Sequence, residues 1–196
     1  MSETTQYLRP AQVCKRLNIS RTTLYRWHAN NPNFPRLSRL SGKCTVWGAA
    51  AIDAFVKEQA VLNEAEMLAS SRKAVLEGSD WFTAAKVADL ASLGGTIPSA
   101  QINKWKRQQQ LFAIHHSGVE YFPGYGLDPE DGWRPRKTLK AILEVFGDAK
   151  DGWGLAYWFL SANSFLGGRR PQDALASDPE QVIAAARAEM KAIAHG

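Results

Sequence analysis

Ser20, Arg21, Thr22, Thr23, Tyr25 and Arg26 bring hydroxyls and two fixed cations into one short stretch of the chain. Such side chains can donate to base edges and to phosphate oxygens, the chemistry by which a helix reads duplex DNA in the major groove. A helix from Ser20 is predicted, because Asn18 suits the turn before it and the Ser20 hydroxyl can accept from a free backbone amide. Leu24 and Trp27, three apart, then share its inner face and leave the hydroxyl and cationic residues on the other. An ordinary amphipathic surface helix satisfies the same pattern, so the flanking sequence must decide between the two readings.

The elements that would position this face can be read on either side. Pro10 suits the first position of a helix, with Leu8 spaced to staple onto Val13 and Leu17 closing the same apolar face. After the second helix, Asn30, Asn31, Pro32 and Asn33 form a stop and Phe34-Pro35-Arg36 is extended. Leu40 to Trp47 reads as two short strands around a Ser-Gly turn, and a helix follows with Ala51, Ile52 and Phe55 inward. Helix, turn, helix, hairpin and helix make a winged helix-turn-helix over residues 1–59. Gly42-Lys43-Cys44-Thr45 echoes the end of a phosphate-binding loop, but Leu37 stands where the first Gly is required and Cys44 where Ser or Thr is, so nucleotide binding is not expected.

Charge placement favours the nucleic-acid reading of this segment. The chain of 196 residues has a net charge of +5, and residues 1–79 hold 11 Lys+Arg against 6 Asp+Glu, while residues 80–149 hold 8 and 8 and residues 150–196 hold 5 and 5. The whole excess lies where the candidate reader lies, and concentrated cations gain by releasing counterions from a polyanion. A hydrophobic content of 45% with seven Trp excludes a disordered chain. No apolar run approaches a membrane span and the first residues lack a leader pattern, so a cytoplasmic protein with no membrane partner is expected. Cys14 and Cys44 have no ligand-spaced partners and are read as reduced and structural.

Val13, Leu17, Ser20, Leu24-Tyr25-Arg26, Phe34-Pro35, the Gly42 hairpin, Trp47 and Ile52-Asp53-Ala54-Phe55 together resemble the AlpA and excisionase family, small relatives of the MerR winged helix. That resemblance implies sequence-specific binding of double-stranded DNA by the helix from Ser20, with backbone contacts from Arg36, Arg39 and Lys43 around the wing. The chain departs from the family pattern in a longer, Asn-rich link between Arg26 and Phe34.

Residues 60–79 contain no Gly or Pro before Gly78 and read as a helical connector continuing the helix from Ala49. Val61, Ala65, Leu68 and Val75 form a heptad seam broken by Arg72, which serves either a dimer or packing within the chain. Residues 80–132 partly repeat the first plan. Thr83 can cap a helix with Phe82 stapled to Val87; Ala85, Val87 and Leu90 echo Ala11, Val13 and Leu17; Ser99 caps a helix with Ile102, Trp105 and Leu111 inward. Phe112 to Pro123 alternates and turns at Ser-Gly like a wing. This second winged-helix-like unit is either an auxiliary DNA contact, through Lys104, Lys106, Arg107 and the following Gln run, or a structural or partner-binding unit. His115 and His116 point to opposite sides of a strand and cannot chelate one metal together.

Residues 133–196 read as a small helical domain: Pro135–Phe146 with Leu139, Ile142, Leu143 and Phe146 inward, an aromatic-rich helix from about Trp153, a short helix from Pro171, and a last one begun by Asp178, Pro179 and Gln181. Trp153-Gly154, Trp158-Phe159, Asn163, Leu166-Gly167-Gly168-Arg169-Arg170-Pro171, Ala174-Leu175, Asp178-Pro179 and Val182 resemble the toxin-binding domain of the Xre/MbcA/ParS antitoxins, and the middle segment is similar to what precedes that domain in some members. The resemblance implies a RES-fold toxin that attacks NAD, blocked by this region, with Trp153, Trp158, Leu166, Gly167, Gly168, Arg169, Arg170 and Pro171 as the partner-binding set. An AlpA-like reader takes the place of the usual helix-turn-helix of that family.

His28, His115, His116 and His195 have no nucleophile or carboxylate at a recognisable spacing, and no acidic cluster suggests a metal, so neither an enzyme nor a cofactor is expected. The fold expected is mainly α: an N-terminal winged helix-turn-helix, a second winged-helix-like unit and a C-terminal helical domain. Two functions fit. One is a type II antitoxin that binds its own promoter and captures a toxin encoded nearby. The other is a free-standing transcription regulator or excisionase-like DNA architect whose C-terminal part makes a homo-oligomer.

Overall fold

The computed structural model describes residues 6–42, 44–93 and 98–195, and its chain divides into two compact units, residues 1–68 and 69–196. The first begins with a short strand β1 (Tyr7–Leu8) and helices α1 (Pro10–Leu17) and α2 (Arg21–Asn30). Strands β2 (Ser38–Ser41) and β3 (Cys44–Gly48) form the wing, and helix α3 (Ala49–Glu77) follows without a break. The sheet order is β1-β3-β2, with Tyr7 opposite Gly48 and Arg39 opposite Thr45, and the register slips between Arg39 and Ser41. Strand β1 has only two residues, too few for alternation to reveal.

Pro10 opens α1, and Asn18 closes it in the left-handed region at φ 52°. Leu8, Val13, Leu24, Phe34, Trp47, Ile52 and Phe55 form the core of this unit. Ala51 is exposed, contrary to the sequence reading. Ala49, three residues before Ile52, takes the inward place, because the inner stripe runs through positions 49, 52 and 55. The heptad expected along residues 61–75 is divided: Val61 and Leu68 are exposed, whereas Val75 is buried in the core of the second unit.

The second unit opens with β4 (Trp81–Thr83), α4 (Ala84–Leu90) and α5 (Pro98–Arg107), followed by β5 (Ile114–His116) and β6 (Val119–Pro123) in the order β4-β6-β5. A two-stranded pair, β7 (Leu127–Asp128) with β8 (Arg134–Pro135), leads into α6 (Lys137–Phe146), α7 (Gly152–Leu160), α8 (Pro171–Ala174) and α9 (Pro179–His195). Thr83 accepts from the Lys86 amide at 3.3 Å and so caps α4 as expected. Ser99 lies inside α5, whose first residue is Pro98; the linker residues Gly94 to Ile97 lie outside the described residues.

Residues 80–132 and 133–196, separated in the sequence reading, share one core. Phe112 stacks on Phe159 with centroids 6.1 Å apart and planes 10° apart, and Ile114, Phe122, Leu139, Phe146, Leu166 and Val182 belong to the same cluster. Among the described residues no helix is long and apolar enough to cross a membrane.

Candidate nucleic-acid interface

Helix α2 is fixed at its start by Ser20, whose Oγ accepts from the Thr23 backbone N–H at 3.1 Å and lies 3.0 Å from Thr23 Oγ1. Its inward side is held by Leu24, fully buried, and by Trp27, whose ring centroid is 6.0 Å from Phe34 and 6.2 Å from Phe55. Trp47 on β3 completes the support. Its Nε1 donates to the Pro35 carbonyl at 3.0 Å and its ring lies 6.0 Å from His28, edge on. This bond ties the extended stretch before the wing to β3 and so sets where Arg36 leaves it.

The outward side carries Arg21, Thr22, Tyr25 and Arg26, all exposed. Tyr25 is 44% exposed and tilts against Trp47 at 6.4 Å, so its ring is braced on one side while the residue stays open to solvent. Thr23 is half-buried and engaged with the cap, which makes it a positioning residue. Arg36 and Arg39 are exposed on the stretch leading into the wing and on β2. Lys43 lies outside the described residues. None of Arg21, Arg26, Arg36 and Arg39 has an ion-pair partner among the described residues. The first turn of α2 has no acidic residue either, so its free amides and the positive end of its dipole are open to an anion.

One contact in this unit has no signal in the sequence. Arg16 Nη2 meets Asp53 Oδ2 at 2.7 Å and ties α1 to α3. The two residues are 37 apart, and no spacing rule joins them.

The eight residues assigned to partner binding do not form one surface. Trp158 and Leu166, 6% and 4% exposed, lie in the core, and Pro171 is buried, so none of the three presents an open side chain. Gly167 and Gly168 are exposed with φ of 66° and 86°, a left-handed pair closed by the Gly168 amide donating to the Asn163 carbonyl at 2.9 Å. Arg169 pairs with Asp178 at 2.7 Å. Arg170 forms a two-bond fork with Asp173 at 2.6 and 3.0 Å, which raises its already high pKa. Trp153 donates from Nε1 to the His115 carbonyl at 3.2 Å, beneath the Arg72 guanidinium at 5.0 Å. The partner-binding set leaves out the aromatic residues that are open: Tyr157 and Phe165, each 54% exposed. Among the described residues no group of three His, Cys, Asp or Glu is placed to hold a metal ion.

No curated protein and no solved structure matches the chain. Residues 6–60 match the family model described as prophage CP4-57 regulatory protein (AlpA). The match falls on the unit that carries the cationic face of α2.

Proposed function

We propose that this chain is a transcription regulator that reads duplex DNA through α2. Arg21, Thr22, Tyr25 and Arg26 enter the major groove, and Arg36 and Arg39 hold flanking phosphates beside the wing. One observation carries the reading: a helix pinned by Leu24 and Trp27 on one side exposes, over its first two turns, the hydroxyl of Thr22, the phenol of Tyr25 and the guanidinium groups of Arg21 and Arg26, neither of which has an ion-pair partner among the described residues. Each guanidinium that neutralises a phosphate contributes about 0.9 to the slope of log affinity against log salt. Titrating the full chain against a random-sequence duplex over a range of salt tests this. Arg21→Gln with Arg26→Gln should lower the slope by about 1.8; an unchanged slope and affinity would remove α2 as the reader.

A second reading is favoured by Tyr157 on α7 and Phe165 just before the turn at Gly167 and Gly168, which expose aromatic surface. Exposed aromatics of this kind are what a protein partner buries. Here the second unit captures a RES-fold toxin encoded nearby, and the chain is the antitoxin that also represses its own operon. Co-expression with the product of the adjacent gene tests it: Tyr157→Asp and Phe165→Asp should release a toxic neighbour and leave DNA affinity intact. A neighbour that is harmless alone and never co-purifies would leave the regulator reading without a toxin.

A further inference from the structure

The two units contain the same device. In each, a short strand precedes two helices and a hairpin, and that strand pairs with the second strand of the hairpin: β1-β3-β2 in the first and β4-β6-β5 in the second. The packing pattern repeats as well. Val13 and Val87 are fully buried, Leu17 and Leu90 half-buried, and Ala11 and Ala85 exposed. Helix α5 therefore holds the place in the second unit that α2 holds in the first.

Its surface is that of a groove reader. Ile102 and Trp105 anchor α5 in the core, and the exposed residues Ala100, Asn103, Lys104 and Arg107 follow at three, four and seven positions, one continuous stripe. The helix contains no carboxylate. Lys106 is bonded to Glu120 on β6 at 2.5 Å, whereas Lys104 and Arg107 have no ion-pair partner among the described residues. Asn can pair with adenine through two bonds, Arg with guanine, and either cation with a phosphate. The neutral total charge of this segment is no objection, because its acidic residues lie on other elements and contact depends on the charge of the face presented.

We infer that the second winged unit is itself a duplex-DNA contact, with α5 as its recognition helix and Asn103, Lys104 and Arg107 meeting the groove and its phosphates. The inference deepens the proposed regulator function and rests on it in that the target is the same polymer; each helix is nonetheless tested by its own variants.

The experiment is a salt-dependent titration of the full chain against a random-sequence duplex, comparing wild type, Lys104→Gln/Arg107→Gln and Arg21→Gln/Arg26→Gln, with circular dichroism melts to confirm that all three fold. The α5 variant should bind about tenfold more weakly and lose about 1.8 from the salt slope. If it binds like wild type while the α2 variant weakens, this inference is overturned and the reading of α2 stands. If only the α5 variant weakens, this inference stands and that of α2 falls. A wild-type chain that ignores duplex DNA, or that prefers single-stranded RNA of the same sequence, overturns the proposal for α5.

Discussion

Arg16 and Asp53 meet at 2.7 Å, joining the end of α1 to the second turn of α3 across the back of the helix-turn-helix. Both side chains are 44% exposed, so water screens the pair, and it contributes about 0.2–1 kcal/mol. Asp53→Asn should therefore lower stability by less than about 1 kcal/mol in a denaturant titration, with the difference fading at high salt. A loss several times larger would show the pair to be a structural keystone, which its exposure argues against.

Ser20 carries more. Its Oγ satisfies the Thr23 amide that would otherwise lack a partner at the start of α2. Ser20→Ala should cost about 1 kcal/mol and weaken duplex binding through fraying of the first turn, while Ser20→Asp should keep most of the stability. Chemical denaturation of the three proteins reads this directly.

Two glycines of α7 separate packing from propensity. A Cβ at Gly152 would overlap the Ala113 carbonyl oxygen, a backbone atom that cannot move aside. At Gly154 it would meet Asp151 Oδ1 at 3.2 Å, a side-chain atom that caps α7 by accepting from the Gly154 amide at 2.7 Å, so the cap has to give by only a few tenths of an ångström. Gly152→Ala should destabilise by more than about 2 kcal/mol, whereas Gly154→Ala should change stability by less than about 1 kcal/mol, its tight contact offset by the gain in helix propensity. Equal thermal melts for the two variants would contradict this packing.

Tyr125 Oη is buried with no hydrogen-bond partner among the described residues, and burial pushes its pKa well above the ordinary tyrosine value. The ring packs 5.1 Å from Phe159. Tyr125→Phe keeps that packing and removes an unpaired polar group, so stability should rise by about 1 kcal/mol. The tyrosine stays neutral through the physiological range, and the gain should be the same at pH 6 and pH 8. A lower melting temperature for the variant would show that the hydroxyl is satisfied.

Much of the fold could be read directly. Ser20, Leu24 and Trp27 mark α2 because capping and helical spacing are local rules, and the absence of Gly or Pro between Ala49 and Gly78 marks α3. The second winged unit was legible from Thr83, Val87 and the Ser117-Gly118 turn of its hairpin, whose φ values of 50° and 78° suit a tight hairpin. Strands β1 and β4 were not, being too short to show a period. Nor was the common core, since Phe112 meets Phe159 only through the tertiary fold. The partner set erred at Trp158 and Leu166 for a related reason: an apolar residue type does not say whether its neighbours cover it. Tyr157 and Phe165, in the same stretch, are the ones left open.

A helix that reads sequence, as proposed for α2, does more than attract a polyanion. Enrichment of bound duplexes from a random pool, run in parallel with wild type and with Arg21→Gln/Arg26→Gln, tests this most directly. The wild-type pool should converge on a shared site, and the variant pool should lose that convergence at the positions α2 reads. A pool that stays random with wild type, or converges on the same site with the variant, would contradict it.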